Sequence, residues 1–295
     1  MFETIEERFA AFSSELNLLE IVGVIFLLLT AAETIWDLIS KRRKSYKETL
    51  TNVSIAVVAN LLDRTLYGLI FLVGLFAAEQ FAVATIPVTG WSFVLALIAA
   101  DLSYYWMHRL EHEIRFFWAH HVVHHSSPEY NLTTALRLSW TESLFEWIFL
   151  VPMVLIGFDA VQTLVAFLAI VTYQTWIHTE KVGKLGWLDG IFNTPSVHRV
   201  HHGSNDVYID KNYGGVLIIW DRLFGTYQTE QEPVTYGIIK PLNSANPFTI
   251  VFHEYWQIIK DVMAAKSISD KLKFIVGKPG WLPSADATKQ TKSTE

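Results

Sequence analysis

The 295-residue chain contains no cysteine. Disulfides, iron–sulfur clusters, thiolate-bound haem and thiol nucleophiles are therefore excluded. Charge is scarce too: 18% of residues are charged, where soluble domains carry roughly 25%. The net charge of −6 is modest, and no basic stretch of the extent that nucleic-acid binders use is present, so nucleic acid is not a partner. No G-x-G-x-x-G fingerprint occurs, so the chain does not carry a dinucleotide as its own electron source. Glycine is missing from residues 108–142, which predicts helix there, interrupted at Pro128.

Apolar residues fill the gap. They make up 51% of the chain, and the mean hydropathy is +0.28. Five stretches approach the ~20 residues a membrane span needs: 18–38, 66–83, 91–107, 144–157 and 160–177. The fourth is short and contains Pro152, and with the fifth it reads as a hairpin turning at residues 157–159. The first carries 12 apolar residues among 18–32, with Glu20 the only charge; it lacks the basic leader and small-residue site of a cleavable signal. Lys41, Arg42, Arg43, Lys44 and Lys47 follow that stretch, whereas Glu3, Glu6, Glu7 and Glu15 precede it. The positive-inside rule then expects residues 41–47 in the cytoplasm, and threading five spans places 108–142 and everything after His178 on that same side. The segment 49–63 is amphipathic and is expected along the interface.

Nine of the 11 histidines fall into four groups: His108/His112, His121/His124/His125, His178, and His198/His201/His202. The first is H-x₃-H, which stacks two rings one helical turn apart, where they can clamp one ion. The second and last repeat H-x₂-HH, whose rings span an arc of about 100°. One structural zinc takes at most four ligands, so nine imidazoles point to two metal ions in one all-nitrogen site. Imidazole suits iron, zinc, copper and nickel. A hydrolytic zinc needs three protein ligands and an open position, which nine histidines overshoot. A pair of redox metals at a membrane edge instead favours O₂-dependent oxidation of a lipid C–H bond.

The boxes HRLEH (108–112), HHVVHH (120–125) and HRVHH (198–202) resemble those of the fatty acid hydroxylase superfamily, which includes sterol desaturases, lipid hydroxylases and related membrane di-iron oxidases. Longer strings, HHSSPEYNLTTALR at 124–137, HTE at 178–180 and PSVHRVHHGSNDVYIDKNYGGVLIIWDRLFGTY at 195–227, look like its alkylglycerol monooxygenase branch. The resemblance covers about residues 90–240 and implies a helical membrane core under a cytoplasmic cap with two irons. Carried over by residue, the implied ligands are His108, His112, His121, His124, His125, His178, His198, His201 and His202. It further implies O₂ as oxidant, a lipid substrate from the bilayer, and electrons from outside the chain, from a tetrahydropterin or a separate redox protein. An acidic residue directly after the first box, here Glu113, is associated in that branch with tetrahydropterin use; an exposed helix-surface glutamate is the alternative.

The expected fold is thus all-α, a polytopic helical membrane protein with a cytoplasmic histidine-rich cap holding a di-metal site. Residues 1–90 would supply membrane spans and the basic loop, 91–240 the catalytic domain, and 241–295 an amphipathic segment with a disordered tail. His120 stands where the family string has a small residue and reads as a supporting residue, and His253 as an ordinary histidine. Asn205, Asp206, Asp210 and Asn212 read either as acceptors for ligand N–H groups or as turn residues. Tyr213, Trp220, Phe224 and Tyr227 read as cap packing. Three rivals stand beside this reading. HRLEH also fits the inverted zinc-peptidase motif with Glu111 as general base, though it uses only two histidines. A b-type haem or metal carrier would need paired mid-membrane histidines, and a desaturase would use the same ligand set.

Overall fold

The computed structural model describes residues 4–40 and 46–283. Lys41, Arg42, Arg43 and Lys44, on which the orientation rests, lie outside the described residues, as do Glu3 and the polar tail expected to be disordered. Every regular element described is helical, and strand pairing is limited to two isolated bridges, Phe192 with Leu217 and Gly203 with Tyr236. In chain order the helices are α1 (Ile5–Ala10), α2 (Ser13–Ile39), α3 (Lys47–Leu62), α4 (Gly68–Glu79), α5 (Gly90–Glu113), α6 (Arg115–His125), α7 (Ser143–Leu155), α8 (Ala160–Gln174), α9 (Pro195–His201), α10 (Ile219–Phe224), α11 (Pro247–Ala264) and α12 (Ile268–Val276).

Two runs are long and apolar enough to cross a membrane: α2, with 27 residues, and the 33-residue run Lys47–Glu79. The second corrects the division at residue 63 expected from sequence. No breaker separates Leu62 from Gly68, and the backbone passes from α3 into α4 through a π-helical turn, Asp63–Tyr67. A Cβ on Gly68 would lie 2.5 Å from the Asp63 carbonyl oxygen, so the bulge depends on glycine there. The first half looked amphipathic because Thr51, Asn52, Ile55 and Ala59 are buried against cap segments rather than lying on a membrane surface. The other three stretches fall short by length or composition. α7 and α8 have 13 and 15 residues, and α5 carries Asp101 and the first histidine box.

Contacts at the helix ends fix their directions. Arg8 pairs with Glu79, which ends α4, and with Asp159, the N-cap of α8. Phe12, before α2, packs on Phe93 near the start of α5, and the amides of Val83 and Ile86 bond to carbonyls at the end of α7. The opposite end gathers the close of α2, the start of α3, the close of α5, the start of α7 and the close of α8, as Glu33, Asn52, His108, Glu142 and His178 converge there. Successive long helices therefore alternate in direction, and every histidine group lies at one end. Their core is built from Phe71, Leu75, Ala96, Ala100, Met107, Leu150, Met153, Phe167 and Ile170.

The cap is less helical than the glycine-free 108–142 suggested. Ile114 is extended (φ −115°, ψ 118°), which ends α5 and turns α6 back across it. After His125 the chain leaves α6, and its next regular element is one 3₁₀ turn, Leu132–Leu136. The loop-rich 183–225 holds the short helices α9 and α10. α11 packs on α6 and α3, anchored where Arg115 meets Glu254 and Asp261 at 2.7 Å each.

Candidate metal centre

α5 delivers His108 and His112, α6 delivers His121, His124 and His125, the residue stretch after α8 delivers His178, and α9 with its C-cap delivers His198, His201 and His202. All nine are buried. They form two sets rather than one: His108, His112, His121, His125 and His201, and then His124, His178, His198 and His202, with the donor atoms of each set within 4.8 Å of one another. The 100° arc of each H-x₂-HH group is wide enough to straddle two centres. α6 sends His121 and His125 one way and His124 the other, and α9 sends His201 one way and His198 and His202 the other.

In the first set Nε2 of His121 lies 3.1 Å from Nε2 of both His108 and His125, and His125 lies 3.1 Å from His201. In the second, Nε2 of His178 lies 3.0 Å from His124 and 2.9 Å from His198, and His202 lies 3.2 Å from His198. Outward nitrogens decide what these contacts are. Nδ1 of His108 donates to the Tyr213 carbonyl at 2.9 Å, His201 to Lys211 at 2.9 Å, and His178 to Gln174 at 2.8 Å. A neutral imidazole with its proton on Nδ1 has only a lone pair on Nε2. Three lone pairs thus point into the sets with no proton to share, and Nε2 of His112 is buried without a hydrogen-bond partner. Two ligand nitrogens at ~2.1 Å from one ion, a right angle apart, sit about 3.0 Å from each other. The donor set therefore fits one transition-metal ion per set.

Burial keeps eight of these rings in the neutral form, with a lone pair free for an ion. It lowers His108 to about 3, helped by His112, and His178 to about 4. Burial, and then the neighbouring imidazoles, likewise hold His121, His124, His125, His198, His201 and His202 well below the ordinary histidine value.

Carboxylates stand behind the rings, not among them. Glu111 places one oxygen 3.2 Å from Nε2 of His120 and the other 3.3 Å from Nδ1 of His121; Glu142 is 3.8 Å from that same nitrogen. The His121 contacts have ion-pair distance but not hydrogen-bond geometry. Burial raises Glu111 to about 8 and lowers His120 to about 4, so in the metal-free chain both are neutral near pH 7. Glu111 thus lies on the Nδ1 side of His121, in a third group with His121 and Glu142 whose donor atoms are also within 4.8 Å of one another. It is outside the set that holds His108 and His112, which leaves the inverted zinc-peptidase reading without a base beside its two histidines. His120 belongs to neither set; it is fully buried and stacks on Phe145. His253 lies apart in α11 and bonds the Ile250 carbonyl.

Glu113 is also outside both sets, paired with Arg109 at 2.9 Å on the surface of α5. Of the four polar residues after the third box, only Asp210 approaches a ligand, 3.7 Å from Nδ1 of His112. Asn212 is buried and ties Val197 and Gln228, Asn205 ties Pro233 and Thr235, and Asp206 is exposed. Tyr213 packs on His108, His112 and His201. Trp220 donates to Asp101, Phe224 stacks on Tyr105, and Tyr227 lies under Arg222.

Several supports gave no signal in the sequence. Asp101 accepts from Val216, Leu217 and Trp220, while Asp221 accepts from Tyr213, Gly214 and Thr226, so two buried carboxylates shape the loop whose carbonyls orient His108 and His201. From α2, Glu33 accepts from the Leu132 amide at 2.7 Å and the Thr179 hydroxyl at 2.6 Å, and Asp37 pairs with Lys181. These bonds hold the segment that carries His178. Arg137, 1% exposed, joins Val123, Ser126, Asn52 and Glu48 and so pins the exit of α6 to α3.

Comparison with known proteins agrees with this geometry. The fatty acid hydroxylase family model matches residues 93–226. Alkylglycerol monooxygenase of Homo sapiens is 38% identical over 260 residues, covering 88% of this chain and 58% of that protein. The Danio rerio alkylglycerol monooxygenase is 46% identical over 195 residues, 66% of this chain and 44% of that one. Ornithine lipid hydroxylase of Rhizobium tropici is 32% identical over 151 residues, 49% of this chain and 44% of the other. The chain thus spans about half the length of the curated relatives it matches. No solved structure matches it. All nine histidines of the two sets lie inside residues 93–226, the segment that matches the fatty acid hydroxylase family model.

Proposed function

We propose that this protein is a multi-pass membrane enzyme that hydroxylates a C–H bond of a lipid with O₂, using two iron ions held by the five- and four-histidine sets. The observation that carries this is the pair of adjoining, buried, all-imidazole sets with bare nitrogen lone pairs turned inward. The relatives' names, monooxygenase and lipid hydroxylase, support the reaction class. When bound, a pair of redox-active ions supplies O₂ activation. The net reaction consumes one O₂, two electrons and two protons and leaves an alcohol and water. If the lipid is an alkyl glycerol ether, hydroxylation beside the ether oxygen gives a hemiacetal that separates into aldehyde and glycerol product.

The chain's own contribution is positional. Backbone carbonyls of Gln174, Lys211 and Tyr213 lock three ligand tautomers, and burial excludes water and protons from the rings. A groove of about 730 Å³ between α2 and α3, walled by Leu27, Ala31, Ile35, Val53, Val57 and Leu136, has the size and character of a lipid-chain site. Its lining includes Thr133 and Leu136 of the 3₁₀ turn, and Tyr130, just before that turn, packs on His178 and His202.

In this reading residues 1–90 supply spans, 91–240 the catalytic domain and 241–295 an amphipathic segment, with the histidine end of the bundle at the cytoplasmic face, of a bacterial inner membrane or endoplasmic reticulum. Electrons come from a tetrahydropterin or a redox protein, and Glu113, on the surface of α5 beside the cap, is assigned the pterin contact. Elemental analysis with product detection tests the core of the proposal. Two irons per chain are expected. His108→Ala, His124→Ala and His202→Ala should each lower bound metal and abolish oxidation, while His253→Ala does neither and His120→Ala does little. One metal per chain, or full activity in His124→Ala, overturns it.

A further inference from the structure

α11 has two apolar faces. Ile250, Val251 and Ile258 are buried against the cap. Phe248, Phe252, Trp256, Ile259 and Met263 are exposed, from 41% at Phe252 to 79% at Met263. Their spacing of four, four, three and four residues confines them to an arc of about 80°. Thr249, His253, Gln257 and Lys260 form a polar strip beside that arc. α12 repeats the plan: Phe274 is buried against Trp281, while Ile268, Leu272 and Val276 stand exposed one turn apart.

What covers this stripe follows from its edges. Phe248 and Phe252 meet the ring of Trp140 at 4.9 and 5.8 Å, and Trp140 packs with Ile55 of α3. α3 presents Val53, Val57 and Leu61 outward on one of the two runs long enough to cross a membrane. α11 therefore lies against one of the two runs long enough to cross a membrane, through Trp140 and the inner face of α3. Charge points the same way. Residues 247–278 hold five lysines and three acids, and two of the acids, Glu254 and Asp261, are turned inward onto Arg115. Lys260 lies over Trp256 and Lys273 over Trp281, so cations border the aromatic edge. Aromatic residues on the apolar face with lysines beside them are the composition of a helix that rests in the headgroup layer of an anionic bilayer.

We infer that α11 and α12 form a foot lying in the membrane interface, with the stripe Phe248–Met263 and Ile268, Leu272 and Val276 among the acyl chains and the lysines at anionic headgroups. The inference rests on the membrane reading above. Because α11 also packs on α6, which carries three of the nine histidines, the foot sets the height of the metal sets above the lipid.

The cysteine-free chain allows a direct test. Single cysteines replacing Met263, Leu272, Gln257 and Leu28 in the full-length protein are labelled with an environment-sensitive fluorophore in phosphatidylcholine vesicles with and without phosphatidylserine. Labels at 263 and 272 should be quenched several-fold more by a shallow lipid-borne quencher than by aqueous iodide, and the label at 257 the reverse. Lys266→Glu with Lys271→Glu should weaken the lipid quenching at 272 on anionic vesicles only. Iodide quenching at 263 and 272 equal to that at 257 overturns the foot. Protection from both quenchers also overturns it and shows a protein partner or a second copy on the stripe. The label at 28, on the outer face of α2, separates the two readings: lipid quenching there without it at 263 and 272 rejects the foot alone, and its absence rejects the membrane reading with it.

Discussion

Glu33→Gln should detach one metal set from its support while leaving the other intact. The carboxylate accepts from the Leu132 amide at 2.7 Å and from the Thr179 hydroxyl at 2.6 Å, and the residue is 8% exposed. Glutamine keeps the shape but offers one oxygen, so one donor loses its acceptor and both lose the charge. Hydrogen bonds to buried charged groups contribute about 1.5–3 kcal/mol each, which puts the cost at roughly 2–4 kcal/mol. At about 2–4 °C per kcal/mol for a domain of 150–250 residues, the melting temperature should fall by roughly 5–15 °C. Both contacts act on the second set. Thr179 follows His178, and Leu132 lies just past Tyr130, whose ring packs on His178 and His202 at 5.8 and 5.0 Å. Losing the support of a ligand costs about 10–100-fold in metal affinity. Iron measured against a competing chelator should therefore drop from two per chain toward one, with thermal unfolding recorded in parallel. Two irons retained at the same chelator strength, with an unchanged melting temperature, would show that α2 does not hold the site.

The first set has one ligand more than the second, so His112→Ala should retain more metal than His198→Ala under equal chelator competition; equal losses would contradict the five-and-four division. Acid should destabilise the metal-free protein. Eight histidines of the two sets, together with His120, are lowered by burial, His108 to about 3, so the unfolded chain binds more protons and stability falls as pH drops through 6.5 toward 3, by about 1.4 kcal/mol per pH unit for each fully shifted ring. Glu111, raised to about 8 by burial, has the opposite sign and takes stability away as pH rises from 4.5 to 8, so the optimum lies near pH 6.5. Glu142, which burial also raises, acts in the same direction, and Glu111→Gln should therefore lessen the alkaline decline without abolishing it in a pH series of melting curves. Gly215→Ala would set a Cβ 2.6 Å from Ile170 and 2.8 Å from an Asp101 oxygen, displacing the loop that orients His108, and should lower metal content without touching a ligand.

The gathering of the nine histidines was legible because spacing alone brings histidines to common helical faces, and nine of one residue type is a strong pattern. Their division was not, since an arc of about 100° is compatible with one centre or two. The acceptors that fix the tautomers are the carbonyls of Gln174, Lys211 and Tyr213, and a backbone oxygen has no sequence signature. Glu33 was hidden by its position, one residue past the apolar window 18–32 in a helix read as lipid-facing. The histidines' gathering at one end follows from alternating helix directions, which span counting anticipates. The continuity of α3 and α4 does not follow from it, because an amphipathic segment lying on a membrane and one packed against a cap have the same periodicity.

α6 and α9 with its C-cap each give histidines to both sets. Neither helix can settle around one ion without also placing rings for the other. The ordering that the first ion imposes on these two helices is then already in place when the second arrives, which is positive cooperativity through shared rigidity. Limiting iron should accordingly be distributed as fully loaded and empty chains, with few half-filled ones, and native mass spectrometry of a titration would show two populations in place of a statistical three. Metal supply would thus set the number of competent molecules and leave the competence of each unchanged.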